Sequence, residues 1–100
     1  MPKLFEYFGF IFMFYSNEHK PIHVHIQYNE FESIAQFMLK DGKIIGFKFK
    51  NAKGKYPIPE SKLVEVEKFL EAYKQEIVNL WIEYFELGRK PKCIKITKKL

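Results

Sequence analysis

The stretch Phe31-Glu-Ser-Ile-Ala-Gln-Phe-Met-Leu-Lys40, followed by Asp41-Gly42-Lys43-Ile-Ile-Gly-Phe-Lys-Phe-Lys50, decides the fold. Phe31, Ser33, Ala35, Phe37 and Leu39 fall on one face of an extended chain. Glu32, Ile34, Gln36 and Met38 fall on the other, which is the period-two pattern of a strand. Lys40-Asp41-Gly42-Lys43 is a turn, because Asp-Gly tolerates the positive φ angles of a type I′ hairpin. The return strand runs from Lys43 to Lys50. Its expected core side is Ile45, Phe47 and Phe49, with Ile44, Gly46, Lys48 and Lys50 outside. Two strands joined this tightly are antiparallel, so the chain is not all-helical.

Toward the start of the chain the same logic repeats. Asn29-Glu30 is a second tight turn. Before it Ile22, Val24, Ile26 and Tyr28 alternate with His23, His25 and Gln27, as in a half-buried strand. Ser16 to Pro21 is a polar connection. Phe10 to Tyr15 is apolar on both faces, so it is a central strand or offers one face to a partner. Leu4 to Phe8 is a short extended piece, broken by Gly9.

Toward the end, Asn51 to Pro59 is a loop punctuated by Gly54, Pro57 and Pro59. One long helix follows, from about Pro59–Lys62 to Leu87. Leu63, Val66, Leu70, Tyr73, Ile77, Leu80, Tyr84 and Leu87 form its apolar seam at alternating spacings of three and four. Val78, Trp81, Ile82 and Phe85 widen the second half, which calls for a further covering layer, the tail or a second subunit. Gly88 is the stop. Cys93 to Thr97 alternates and suits a short edge strand. The expectation is a single α+β domain over residues 1–100. It has an antiparallel meander of about four strands, packed against one long helix, and residues 88–100 form a basic tail.

Composition narrows the class. The chain has 100 residues, 47% apolar and 18% aromatic, enough for one packed core. No apolar run approaches the ~20 residues of a membrane span. Glu6 interrupts the apolar opening, so a signal peptide is not expected. A lone Cys93 rules out an internal disulfide framework and points to a cytoplasmic setting. Residues 88–100 carry Arg89, Lys90, Lys92, Lys95, Lys98 and Lys99 with no acid, six charges against a net +5 for the chain. Such a tail suits a polyanion such as RNA, or simply keeps the chain soluble. A single Arg disfavours base-specific DNA reading. Phe10, Phe12 and Phe14 could stack bases, but no cation is interleaved with them, so core or interface is the better reading.

All three histidines lie in Asn17-Glu-His19-Lys-Pro21-Ile-His23-Val-His25-Ile26. In the strand, His23 and His25 stand side by side, roughly 6–7 Å apart at the backbone. With His19 they would supply three imidazoles and an open fourth position, the ligand set of a catalytic zinc site. Without metal, one imidazole could act as base and another as acid on a phosphodiester. The plainer reading is a hydrogen-bonded cluster that steadies the Pro21 loop or an interface.

The run from Gly9 to Tyr28, with Asn17, His19, Pro21, His23 and His25, resembles a family of small prokaryotic proteins, domain of unknown function 4160. The likeness extends to the hairpin, the long helix with Trp81 near its end, and the Lys90-Pro91-Lys92 tail. Members often carry Arg where this chain has Phe12, and Phe where it has Val24. The resemblance implies no established activity. It does imply pairing with a second small protein encoded nearby, in the manner of toxin–antitoxin modules. Two functions follow. One is a small cytoplasmic binding protein meeting a protein or RNA partner, with Arg89, Lys90, Lys92 and Lys95 as contacts and a homodimer expected. The other is a small hydrolase or nuclease built on His19, His23 and His25, with or without a divalent metal such as zinc.

Overall fold

The computed structural model describes residues 2–15 and 21–100. Among them, six strands form one sheet and a single helix packs on it. The elements are β1 (Lys3–Tyr7), β2 (Phe10–Met13), β3 (His23–Tyr28), β4 (Phe31–Lys40), β5 (Lys43–Asn51), α1 (Glu60–Phe85) and β6 (Ile94–Ile96). Strand order is β5-β4-β3-β2-β1-β6. β1 to β5 form the antiparallel meander, and β6 pairs in parallel with β1.

The α+β class agrees with the sequence. The expectation of about four antiparallel strands is corrected to six in a mixed sheet. β1 and β6 are short, and they are strands only by virtue of each other and of β2. The long connection through α1 leaves β6 free to run parallel to β1, which a hairpin would not allow.

Three two-residue loops set the register. Tyr7 pairs with Phe10, Tyr28 with Phe31 and Lys40 with Lys43. Asp41 (φ 53°) and Gly42 (φ 77°) both occupy the left-handed region, as a type I′ turn requires. Phe8 (φ 44°) and Gly9 (φ 91°) do the same, although a bulky residue there costs about 1–2 kcal/mol. The register slips between Met38 and Leu39. Met38 faces Gly46 while Leu39 faces Ile44, so Ile45 is the additional residue. This bulge reverses the expected sides: Ile44 packs against the core and Ile45 is 64% exposed. Leu39, expected inside, is half exposed at the same end of the hairpin.

The core lies between the sheet and α1. Phe10, Phe12 and Phe14 are all buried in it, as the sequence suggested. Phe69, which the apolar seam passed over, is its centre. Its ring stacks on Phe12 at 4.3 Å and on Tyr73 at 4.5 Å. Phe5 and Tyr7 close around it at 5.4 and 4.9 Å. Leu87, counted in the seam, is exposed beyond the helix end. The broad second half of α1 is covered in part within the chain: Phe14 meets Trp81, Phe85 and Tyr84 at 5.3, 5.6 and 6.2 Å, while Ile82 stays 40% exposed. The loop 52–59 is pinned from Ile58, whose N–H donates to Ser33 Oγ at 3.0 Å.

Residues 88–100 return to the body. Gly88 (φ 69°) ends the helix, and the Arg89 N–H donates to the Glu83 carbonyl at 2.8 Å. The Leu100 N–H donates to Tyr7 Oη at 3.0 Å. Lys99 Nζ donates to Glu65 Oε1 at 2.8 Å and lies over the Phe8 ring at 4.9 Å. The Lys99 hydrogen bond is the main cause that holds the Glu65 carboxyl below its ordinary value and raises the Lys99 ammonium above its own. Glu65 therefore favours folding above the ordinary carboxyl range, and this is lost as pH falls through its lowered value. Lys99 favours folding at all pH below its ordinary value and loses this as pH rises through the raised one. The pair is exposed, so its effect is local and salt-screened.

Two outcomes are expected. Phe69→Ala should cost about 3–5 kcal/mol in urea unfolding, a large share of the ~5–15 kcal/mol available to such a domain. Glu65→Gln should speed hydrogen exchange at Ile94–Ile96 at neutral pH. The difference from the parent should vanish in acid, where Glu65 is protonated in both folded and unfolded chains; a difference that persists there would refute the pairing.

Candidate functional site

The sheet face away from α1 is assembled by the hairpin registers. Met13 lies beside His25, His25 beside Ile34, and Ile34 beside Lys50. In the next row His23 lies beside Gln36, and Gln36 beside Lys48. Among the described residues no second helix or sheet covers this face. Even so His25 is only 5% exposed and Glu32 only 3%.

Their burial is matched by hydrogen bonds. Tyr15 Oη donates to Glu32 Oε2 at 2.6 Å, and His25 Nδ1 lies 3.1 Å from the same oxygen. The Tyr15 ring lies flat on the His25 imidazole, with centroids 3.6 Å apart and planes 8° from parallel. A buried carboxylate without donors would be expensive, and here it receives two. Because Glu32 Oε2 accepts, His25 Nδ1 carries the hydrogen, so the neutral ring has its lone pair on Nε2.

His23 is set differently. Its Nδ1 lies 2.8 Å from the Pro21 carbonyl oxygen, which can only accept, so this Nδ1 also carries hydrogen. β2 ends at Met13, opposite His25, one pair short of His23. Its ring reaches Trp81 of α1 at 5.5 Å and His25 at 5.7 Å. The structure thus brings His23 and His25 together and adds Tyr15, Glu32 and Trp81. His19, the third candidate ligand, and the Ser16–Lys20 part of the polar connection lie outside the described residues. Among the described residues no three His, Cys, Asp or Glu side chains gather as a metal site.

Glu32 and Tyr15 escaped the sequence reading, yet a signal for Glu32 was present. The two-residue Asn29-Glu30 turn pairs Tyr28 with Phe31 and therefore Gln27 with Glu32. That puts Glu32 on the His25 face and diagonal to it. Tyr15 had no such signal, because it lies past the end of β2.

The basic candidates occupy another place. Arg89, Lys90 and Lys92 are exposed between α1 and β6, while Lys95 is the middle of β6, opposite Glu6. Cys93 precedes β6 and is exposed, and partial desolvation is the main cause that pushes its thiol above the ordinary value, the opposite of an activated nucleophile. Among the described residues, no helix is long and apolar enough to cross a membrane.

Residues 9–82 match the family described as Domain of unknown function (DUF4160). The chain belongs to this family. No curated protein and no solved structure matches it. The matched span contains the histidine strand, both following strands and α1 as far as Ile82, but not β1 or β6.

Glu32→Ala should take from the Tyr15 hydroxyl and the His25 N–H the buried carboxylate they share, at about 2–6 kcal/mol from roughly 1–3 for each group. Glu32→Gln, which keeps one carbonyl acceptor, should cost less. Equal losses for the two in chemical denaturation would show that the carboxylate is not the hub of this network.

Proposed function

We propose that this protein is a small binding module, one component of a two-gene pair of toxin–antitoxin type, contacting a protein or RNA partner. The observation that supports this most is the burial of His25. Its ring lies under Tyr15, and its Nδ1 bonds a carboxylate that is itself buried. A histidine so placed ties β3 to β4 and to the residues after β2. In this reading the cluster keeps one sheet face rigid, and the basic strand and tail meet the partner. The pairing with a nearby gene product is what likeness to the family implies.

The hydrolase or nuclease reading has one observation of its own. A carboxylate on Nδ1 is the usual means of orienting an imidazole whose Nε2 takes a metal or a proton. His25 with Glu32 has that form, and His23 is fixed comparably by the Pro21 carbonyl. A divalent ion would then need His19 or another donor beyond these two imidazoles.

One comparison separates the readings. For the binding module, His25→Ala should lower the melting temperature by about 10 °C, from a loss near 2 kcal/mol, equally with and without added zinc. Purified protein should cleave neither RNA nor a model phosphodiester. A zinc-dependent rise in melting temperature that His23→Ala abolishes would overturn the proposal, because only an ion bound to the native state stabilises it. So would cleavage that the same substitution removes.

A further inference from the structure

The two edges of the sheet differ. β5 is long, carries Lys43, Lys48 and Lys50, and is bulged at Ile45. Edge lysines and bulges are the devices that keep another strand from adding. β6 has neither a bulge nor more than one lysine: it reads Ile94-Lys95-Ile96 and ends the strand order. One side of its backbone pairs with β1, and its other side faces outward with no described strand beyond it.

The two faces beside that edge are chemically distinct. On the helix side lies a mainly apolar groove of about 310 Å³, lined by Phe5, Tyr73, Leu80, Ile94 and Ile96 together with Glu76 and Asn79. Ile94 is 52% exposed there. On the opposite side Lys95 stands next to Glu6, and Arg89, Lys90, Lys92 and Lys98 precede or follow it with no acid among residues 88–100.

We propose that the outer edge of β6 takes an added strand from an acidic segment of a partner protein, with apolar and acidic residues alternating. Apolar side chains enter the groove beside Ile94 and Ile96. Acidic side chains lie on the Lys95 face and extend the Glu6–Lys95 pair into a ladder of alternating sign. The added backbone pairs with the outward N–H and C=O groups of β6, as in other cases of strand addition. Glu76 sets the alternation, since it repels acids from the groove side. A second copy of this chain suits the edge poorly. Antiparallel two-fold pairing centred on Lys95 sets lysine against lysine, and like charges directly opposite are destabilising.

The assignment rests on the binding-module reading but fails independently of it. The probe is a capped peptide of alternating glutamate and valine, titrated into the isotopically labelled full chain. Backbone amides of Lys92–Thr97 should shift saturably, and the shifts should weaken in high salt. Lys95→Glu and Lys92→Glu should each weaken binding about tenfold while retaining the folded spectrum. The same peptide N-methylated on alternate amides should bind more weakly, because it cannot complete the ladder. An unmoved β6, or equal binding by a lysine–valine peptide, would overturn the proposal. Undiminished binding of the N-methylated peptide would reduce the site to a charged patch. Tighter binding of β6 by oligouridylate would assign the edge to RNA. Line broadening of β6 that grows with protein concentration would assign it to a second copy. None of these outcomes depends on whether the histidines are structural or catalytic.

Discussion

Sheet and helix are held together at one ring. Phe69 of α1 lies against Phe12 of β2 at 4.3 Å, and Phe5, Tyr7 and Tyr73 pack around the pair. Interleaved aromatics bury large areas with few rotatable bonds, so they fix a helix across a sheet at a modest entropic cost. β1 and β2 are short, and they are positioned by what this cluster covers. β6 in turn lies on β1. The cluster therefore governs even the edge that carries the basic tail.

The histidine face obeys a different constraint. A carboxylate buried on a sheet needs donors within reach, and Tyr15 and His25 both supply them to one oxygen of Glu32. That requirement fixes the tautomer of His25, the position of Tyr15 and the link between β3 and the residues after β2. Structural and chemical roles need the same first step here, which is an imidazole oriented by its hydrogen bond. This is why the geometry is compatible with the proposed binding platform and also resembles the orientation of a reactive histidine. Burial of His25 is what weighs toward the platform.

The residues 88–100 show how charge and backbone share a surface. Lys99 is drawn to Glu65 and to the rings of Tyr7 and Phe8, and so belongs to the body. Lys95 is held in a strand beside Glu6. Arg89, Lys90 and Lys92 remain exposed. The six charges are thus divided between the body, β6 and the exposed segment that precedes it.

Much of this was determined by the sequence alone. Alternation in residues 22–28 and 31–39, the Asp41-Gly42 turn and the three-four spacing of α1 specify the elements, because each pattern reflects one local geometry. They also place His23 and His25 in a strand, and Phe10, Phe12 and Phe14 in the core. Tertiary structure decided what local pattern does not carry. The bulge at Ile45 exchanged it with Ile44, since one additional residue turns every following side chain over. Phe69 became the centre because the stripe buried against a sheet is wider than a single seam. β6 joined β1 in parallel because a strand of three residues takes its partner and direction from the surface that receives it. Tyr15 and Glu32 met at His25 because residues far apart in the chain, once buried together, must satisfy one another's hydrogen bonds.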